Sequence, residues 1–487
     1  MPVIWPPLLW ARSSTITRAE RQEYPSAAII PPILAPTRSE KRGYTAGGQA
    51  KGQPVAQGNR KPRILILADE FNPEWPSLPI VAYKYALELA RHCDLTIATH
   101  VRNRENLEKA QAPLDIVYID NEYIAAPMFK LARLLRGGEE VGWSTSQIMN
   151  YVPYVAFERG VWKRFKPQLK AGEFDIVHRI TPMSPTMPSY IAHKSPVPFV
   201  IGPLNGALDW PTAFAEEQTR EKEGLRKLRD LYKFLPFARS TYDDATCVLT
   251  GFSHTRADLK RVPDDRIVMF PEIGFDPAIF HDNGAQPAGQ RGGDKVRFMF
   301  AGRLVPYKLP ELPLHAFAGS DLLRQQHLHI LGDGPELSRM QAFIDAHNLQ
   351  DCVTLEGRKT QAEVADWMRD CDVFVFPSIR ELGAGVVIES MACGQHMICV
   401  DYGAPGDLTG HGARGDAVRM APFAQLAEGF RQAMETAVTD RARSAALAQA
   451  GRDYAFELFP WAEKGARTGQ IYRAILDGDD MQAMAYR

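Results

Sequence analysis

Four side chains in the second half of the chain have types and spacing suited to a phosphorylated ligand: Arg303, Lys308, Glu381 and Glu389. The two acids lie in the stretch FVFPSIRELGAGVVIESMACG, Phe374 to Gly394. The apolar run Val373 to Phe376 reads as a parallel strand buried on both faces. Pro377 and Ser378 end it. Gly383, Ala384 and Gly385 make a small-residue loop, and Val386 to Cys393 reads as a helix closed by Gly394. A strand, a glycine-containing loop and a helix N-terminus together form an anion site. Glu381 stands before that helix and Glu389 within it. An anion site bracketed by two carboxylates suits a ligand with phosphates in its middle and hydroxyls at both ends. A nucleotide sugar has that layout, with one carboxylate taking ribose hydroxyls and the other sugar hydroxyls. Arg303 and Lys308 follow another apolar run, and two fixed cations there can neutralise a diphosphate, Arg as a planar fork and Lys as a point charge.

These residues carry a family resemblance. Glu381 and Glu389 match the E-x7-E signature of the retaining glycosyltransferases of the GT-B fold, in the large group called family 4. AGRLVPYK, Ala301 to Lys308, resembles that family's loop in which a Gly-Arg pair is followed within a few residues by Lys. LGDGPE, Leu331 to Glu336, resembles its strand-to-helix turn, and CVDYGAP, Cys399 to Pro405, the strand and loop after the E-x7-E helix. The resemblance implies a donor site of Gly302, Arg303, Lys308, Gly334, Gly383, Ala384, Gly385, Val386 and Glu389. It implies catalytic roles for Arg303, Lys308 and Glu381, with the two cations in place of a metal. Three departures stand out. Leu309 follows the Lys where the family usually has Gly, the loop reads E-L-G-A-G-V rather than E-G-F-G-L-V, and FNPEWPSLP replaces the usual Gly-Gly pair after the first strand, with Ser77 and Leu78 near that place.

The 487 residues suffice for two or three domains. A formal net charge of −1 argues against bulk nucleic-acid binding. The six cysteines show no C-x-x-C pair and mostly sit in apolar runs, which fits small buried thiols and a reducing cytosol. No stretch of about 20 apolar residues suggests a transmembrane helix.

Residues 1–60 are rich in Pro, Gly, Ser, Thr and Arg, a composition that predicts a disordered extension. Arg12, Arg18 and Arg21 with few acids resemble a targeting peptide, but the prolines oppose the helix that such a peptide needs. From Arg63 onward, apolar runs alternate with helical patterns, which predicts a doubly wound parallel sheet across residues 61–275. A Gly/Pro-rich linker spans 276–295, with Asn283 to Gly293 read as a flexible connection. A second doubly wound sheet spans 296–458, and ligands are expected at the C-terminal ends of its strands. The expected fold is α/β, with two Rossmann-like domains facing across a cleft. Residues 459–487 are expected to carry a helix that crosses back to the first domain.

Asp370-Cys371-Asp372 has the D-x-D form of a metal site but lies at the start of a strand, the wrong end for ligands. Asp477-Gly478-Asp479 reads as a solvated tail. Gly332-Asp333-Gly334 lacks the third glycine of a dinucleotide fingerprint. FDIVHRITP, Phe174 to Pro182, resembles the family's segment before the acceptor cleft, which makes His178 an acceptor-side or catalytic candidate and a strand-end structural residue the alternative. Asn205, in GPLNG at the same rim, is a second acceptor-side candidate. Gly160 to Lys170 and Arg220 to Arg239 are basic and aromatic. In the latter, Leu225, Leu228, Tyr232 and Leu235 recur at helical spacing, the pattern of either a core-facing helix or one lying on anionic lipid.

The reading is a retaining, metal-independent hexosyltransferase. It moves a sugar from a nucleotide-sugar donor to a hydroxyl acceptor, with no cofactor and no nucleic-acid partner. A lipid-linked or polysaccharide acceptor, and a cytoplasmic location with peripheral contact to an anionic membrane, follow from the family and the basic helix. The alternatives are a nucleotide-sugar epimerase or phosphorylase on the same fold, and a non-catalytic nucleotide-sugar-binding or scaffold protein.

Overall fold

The computed structural model describes residues 60–135, 143–215, 232–284 and 288–486. Of the extension read as disordered, residues 1–60, all but Arg60 lies outside the described residues, and so does most of the basic helix read at Arg220 to Arg239; Arg60 itself pairs with Asp175 at 2.8 Å. From Arg60 onward the chain forms one compact unit.

The first sheet has seven strands: β1 (Arg63–Ala68), β2 (Asp94–His100), β3 (Asp115–Ile119), β4 (Ile176–Thr181), β5 (Phe199–Leu204), β6 (Cys247–Thr250) and β7 (Ile267–Met269). They are all parallel, in the order β3-β2-β1-β4-β5-β6-β7. The second sheet is also parallel. It holds β8 (Arg297–Ala301), β9 (His327–Leu331), β10 (Val353–Gly357), β11 (Val373–Phe376), β12 (His396–Asp401) and β13 (Asp416–Arg419), in the order β10-β9-β8-β11-β12-β13. Parallel strands need crossover helices, which cover both faces, so inner strands such as RILILA and VFVF are mostly apolar. The edge strand β13, DAVR, is polar and half-buried, and a reading by apolar runs passes over it.

One face of the first sheet packs Leu65, Leu67 and Val177 against Phe157 and Phe165 of the helix Trp143–Lys170. In that helix Val161, Phe165 and Leu169 point inward while Lys163, Arg164, Lys166 and Lys170 are exposed. The apolar side of Gly160 to Lys170 is therefore used by the core, and its cations form the solvated face. The opposite face of the sheet belongs to a cluster that runs on through Phe270, Phe275, Phe459 and Tyr486 into the second sheet's core. All six cysteines are buried free thiols.

Two segments cross between the sheets side by side. Phe275 N–H donates to Phe459 O at 3.1 Å, and Trp461 N–H returns to Phe275 O at 3.2 Å. The helix Trp461–Asp477 then lies on the helix Leu78–Leu89, where Tyr85 and Thr468 hydroxyls meet at 2.5 Å. Lys464 of this helix is fully buried. It donates to Pro271 O and faces the Phe270 and Tyr486 rings.

The end of the linker is anchored rather than flexible. Arg291 donates to the carbonyls of Met368, Cys371, Cys393 and Gly394 at 2.8–3.1 Å. Asp372, fully buried, accepts from the backbone N–H groups of Gly289, Arg291 and Arg297 at 2.8–2.9 Å. A charged pair of side chains that satisfies this many backbone groups fixes the chain's path despite its Gly content. Both Asp372 oxygens are taken up in this way, so the acid of the D-x-D motif is structural. Asp372→Ala would leave three N–H groups without their acceptor and is expected to lower stability by roughly 3–5 kcal/mol. Urea denaturation checks this, and an unchanged midpoint would contradict the role.

Candidate active site

The strand orders place the site. In the second sheet the chain leaves β8 toward β9 on one side and later returns as β11 on the other, so loops after β8 and β11 part above the sheet. That parting is the topological switch point, where ligands of open parallel sheets lie. Gly302, Arg303 and Lys308 follow β8, Gly334 follows β9, and Glu381 to Gly385 follow β11.

Lys308 closes the short turn Pro306–Lys308, and its Nζ donates to Glu381 Oε1 at 2.7 Å. Ser378 Oγ donates to the same oxygen at 2.9 Å. Both partners of the ion pair are largely buried, with side-chain exposures of 12% and 15%. Burial alone would depress the ammonium's pKa, but the charge and hydrogen bond of Glu381 outweigh it and hold Lys308 above the usual lysine value. Ile379 N–H donates to Tyr307 O at 2.9 Å, which ties the two loops together beneath the pair. Arg303 is exposed at the rim and donates to Tyr307 OH at 2.8 Å. The Leu309 departure has a local meaning. This residue is buried in the left-handed region, φ 45°, a conformation glycine adopts without strain and leucine does not.

The backbone around Gly302, Gly332 and Gly334 is closely packed. A methyl on Gly334 would stand 2.8 Å from Leu304 C, and Leu304 N–H bonds to Asp333 O at 2.9 Å. The helix after β11 runs Gly385–Ala392, with Ala384 before it in the left-handed region, φ 52°. The first-turn amides of Gly385 and Val386 stand at this helix N-terminus, directly after the loop that follows β11. Glu389 lies one turn into that helix. Burial pushes its carboxyl up to about 7, against a hydrogen bond from Gln361 and the charge of Lys84, which lies on the first half's helix Leu78–Leu89.

On the first half, Asn205 follows β5, is 8% exposed, and donates through Nδ2 to Glu272 Oε1. Glu272, just after β7, escaped the reading of the sequence because nothing in PEIGF marks it as more than a strand end. Burial raises its carboxyl to about 7, against its own backbone amide, Lys464 and Asn205. His178 is not at the cleft. It is fully buried on β4, with Nδ1 against Tyr472 OH and Nε2 at 2.7 Å from Gly202 O. Both ring nitrogens are used inside the core, so His178 is placed as a structural residue and the acceptor-side and catalytic readings of it are withdrawn. Its neighbours Arg179 and Thr181 are buried on the other face of β4.

The fold is GT-B, two Rossmann-like sheets with a site at the C-terminal edge of the second. Residues 285–453 match the family described as glycosyl transferases group 1. It is similar to a D-inositol 3-phosphate glycosyltransferase of Thermobispora bispora, 29% identical over 234 residues, which cover 45% of this chain and 53% of that protein. The match spans about half the length of such curated relatives. Among solved structures, sucrose-phosphate synthase from Thermosynechococcus elongatus superposes with a TM-score of 0.57 at 16% identity, covering 86% of this chain and all of that one. Anabaena HepE, in complex with UDP and glucose, does so with 0.52 at 15%, covering 85% and 99%. At these identities the structures establish the fold.

Burial lowers the His178 pKa to about 4, against about 6.5 in an unfolded chain. Between those values the unfolded state binds more protons, so this group's contribution is complete above pH 6.5 and is lost as the pH falls toward 4. Thermal unfolding between pH 7 and 4.5 is therefore expected to show a shallower acid-side fall in Tm for His178→Gln than for the wild type. Equal slopes would contradict this.

Proposed function

We propose that the chain is a retaining glycosyltransferase that moves a hexose from a nucleotide-sugar donor to a hydroxyl acceptor without a metal ion. The observation that carries the proposal is the largely buried Lys308–Glu381 ion pair, which joins the loops after β8 and β11 at the switch point beside Arg303.

In this reading the donor's diphosphate lies between Arg303, Lys308 and the loop amides of Gly383 to Val386. The two cations stabilise the charge that develops as the bond from anomeric carbon to phosphate oxygen breaks, which is the part of the reaction where fixed charge acts most. Lys308, already held charged by Glu381, needs no proton transfer to do this. In the same reading Glu381 would accept sugar hydroxyls and Glu389 ribose hydroxyls. The acceptor hydroxyl attacks from the face the leaving diphosphate departs, with a diphosphate oxygen taking its proton, so no protein nucleophile is required. The first half's contribution is positional: it closes over the donor and excludes water. The family match and the UDP and glucose held by a protein of the same fold support the donor class. A polysaccharide or lipid-linked acceptor is the finer form of the proposal. Co-sedimentation with phosphatidylglycerol vesicles at low salt tests its membrane element, and a protein that stays in the supernatant refutes that element.

Thermal-shift titration with UDP-, GDP- and ADP-glucose tests the donor class, since a ligand at 100 times its Kd stabilises by about 2.7 kcal/mol. With the donor in hand, Arg303→Ala and Glu389→Ala are each expected to lower kcat/KM at least about 100-fold, roughly 2.7 kcal/mol of transition-state stabilisation. Turnover at the wild-type rate in either variant would refute the site. Activity is expected to persist in excess EDTA, and activity lost to chelator and restored by Mg²⁺ or Mn²⁺ would refute the metal-independent mechanism.

A further inference from the structure

On its first-half side, the seam between the two halves, next to the loop after β11, is built from residues that the proposed reaction does not use. The first half presents the segment Asn205–Trp210 together with Glu272. Glu272 is 3% exposed, and its Oε1 accepts from Asn205 Nδ2 while backing onto Gly383 of the second half. A methyl on Gly383 would overlap that oxygen and stand 3.0 Å from Ile273 Cγ2 and 3.3 Å from Asn205 Nδ2. Asn205 is itself set by its backbone N–H on Met183 O at 2.6 Å. Further along the same segment, Leu208 lies 2.8 Å from where a methyl on Gly403 would be, Tyr402 OH donates to Asp209 O at 2.9 Å, and the Arg380 guanidinium lies 5.3 Å over the Trp210 ring. The segments on the second-half side of this seam flank Glu381, since Gly403 also approaches the Glu381 carbonyl and Ala404 N–H bonds to it at 3.2 Å.

A buried carboxylate in such a place is expensive. Filling the space with an apolar side chain would stabilise the seam more than a carboxylate whose second oxygen, like Asn205 Oδ1, has no partner among the described residues. What the acid supplies is a small, rigidly placed surface that fits Gly383 and leaves no room for a side chain there. We propose that Glu272, held by Asn205, is a positioning residue: it is the surface of the first half on which the Glu381–Gly385 loop is set, so the loop takes its ligand-holding path through contact across the seam. The inference rests on the proposed donor site in that the loop is the one that would hold the donor. The contact itself is independent of any ligand.

The test uses the full-length protein without nucleotide, so it stands whether or not nucleotide sugars bind. Hydrogen–deuterium exchange is followed in peptides covering 381–386. Glu272→Ala and Asn205→Ala are expected to speed exchange there by about tenfold or more while β1 and β11 keep their protection. Glu272→Gln, which keeps the shape and the accepting oxygen, is expected to exchange like the wild type. Gly383→Ala is expected to lower Tm in the wild type and by less than about half as much in the Glu272→Ala background, because the colliding oxygen is gone. Once a donor is confirmed, Glu272→Ala is expected to raise the donor KM more than it lowers kcat. Unchanged exchange in Glu272→Ala and Asn205→Ala, or additive Tm losses in the double variant, would overturn the proposal.

Discussion

The site is built outward from the contact between Lys308 and Glu381, 2.7 Å apart and mostly out of water. Such a pair is weak as a stabilising device, because desolvating two charges costs about as much as their attraction returns. Its value is geometric. It joins the loop after β8 to the loop after β11, and the backbone bond from Ile379 to Tyr307 keeps the two loops in register beneath it. The lysine is thereby held charged and aimed in a place where an isolated, buried ammonium would tend to lose its proton. In the proposed reaction it is ready for a diphosphate before the diphosphate arrives, which is what preorganised charge requires.

A second theme is charge buried where the halves are joined. The crossover segments around Phe275 and Phe459 form a short, paired connection, and beside it lie Glu272 and the fully buried Lys464. Burial raises the acid and lowers the base, each to about 7, and each partly offsets the other. A connection made of aromatic packing alone, such as Phe270, Phe275 and Tyr486 supply, would hold the halves together. The polar groups add direction, because an ion or amide left without its partner in such a place is costly and other arrangements are penalised.

The first sheet shows how the same economy can mislead a reader of the sequence. IVHRIT looks like a strand end that carries reactive groups to a cleft. In the fold all six residues are buried. His178 is locked between Tyr472 and a backbone carbonyl, and Arg179 bonds to the Met187 carbonyl near Glu158, itself bonded by Tyr154, Ser189 and the Ile191 amide. The partners of these side chains come from as far along the chain as Tyr472, a distance no local pattern reports.

What the sequence determined by itself is whatever depends on neighbours along the chain. Apolar runs such as RILILA and VFVF marked strands because parallel strands are buried on both faces, and their alternation with helical patterns marked two doubly wound sheets. The spacing of Arg303, Lys308, Glu381 and Glu389 marked out the candidate site, and the fold puts the first three in loops after β8 and β11, where local strand-to-loop patterns had set them. The polar edge strand DAVR escaped because an edge needs no apolar run, and the linker looked flexible because its anchors, Arg291 and Asp372, bond to backbone groups far from it in sequence. Only the tertiary structure decided that Glu381 pairs with Lys308, that His178 belongs to the core and that Glu272 stands against Gly383. Each of these depends on which segments meet across a sheet or between the halves, and on how much water the meeting removes, and both are set by the packing of the whole chain.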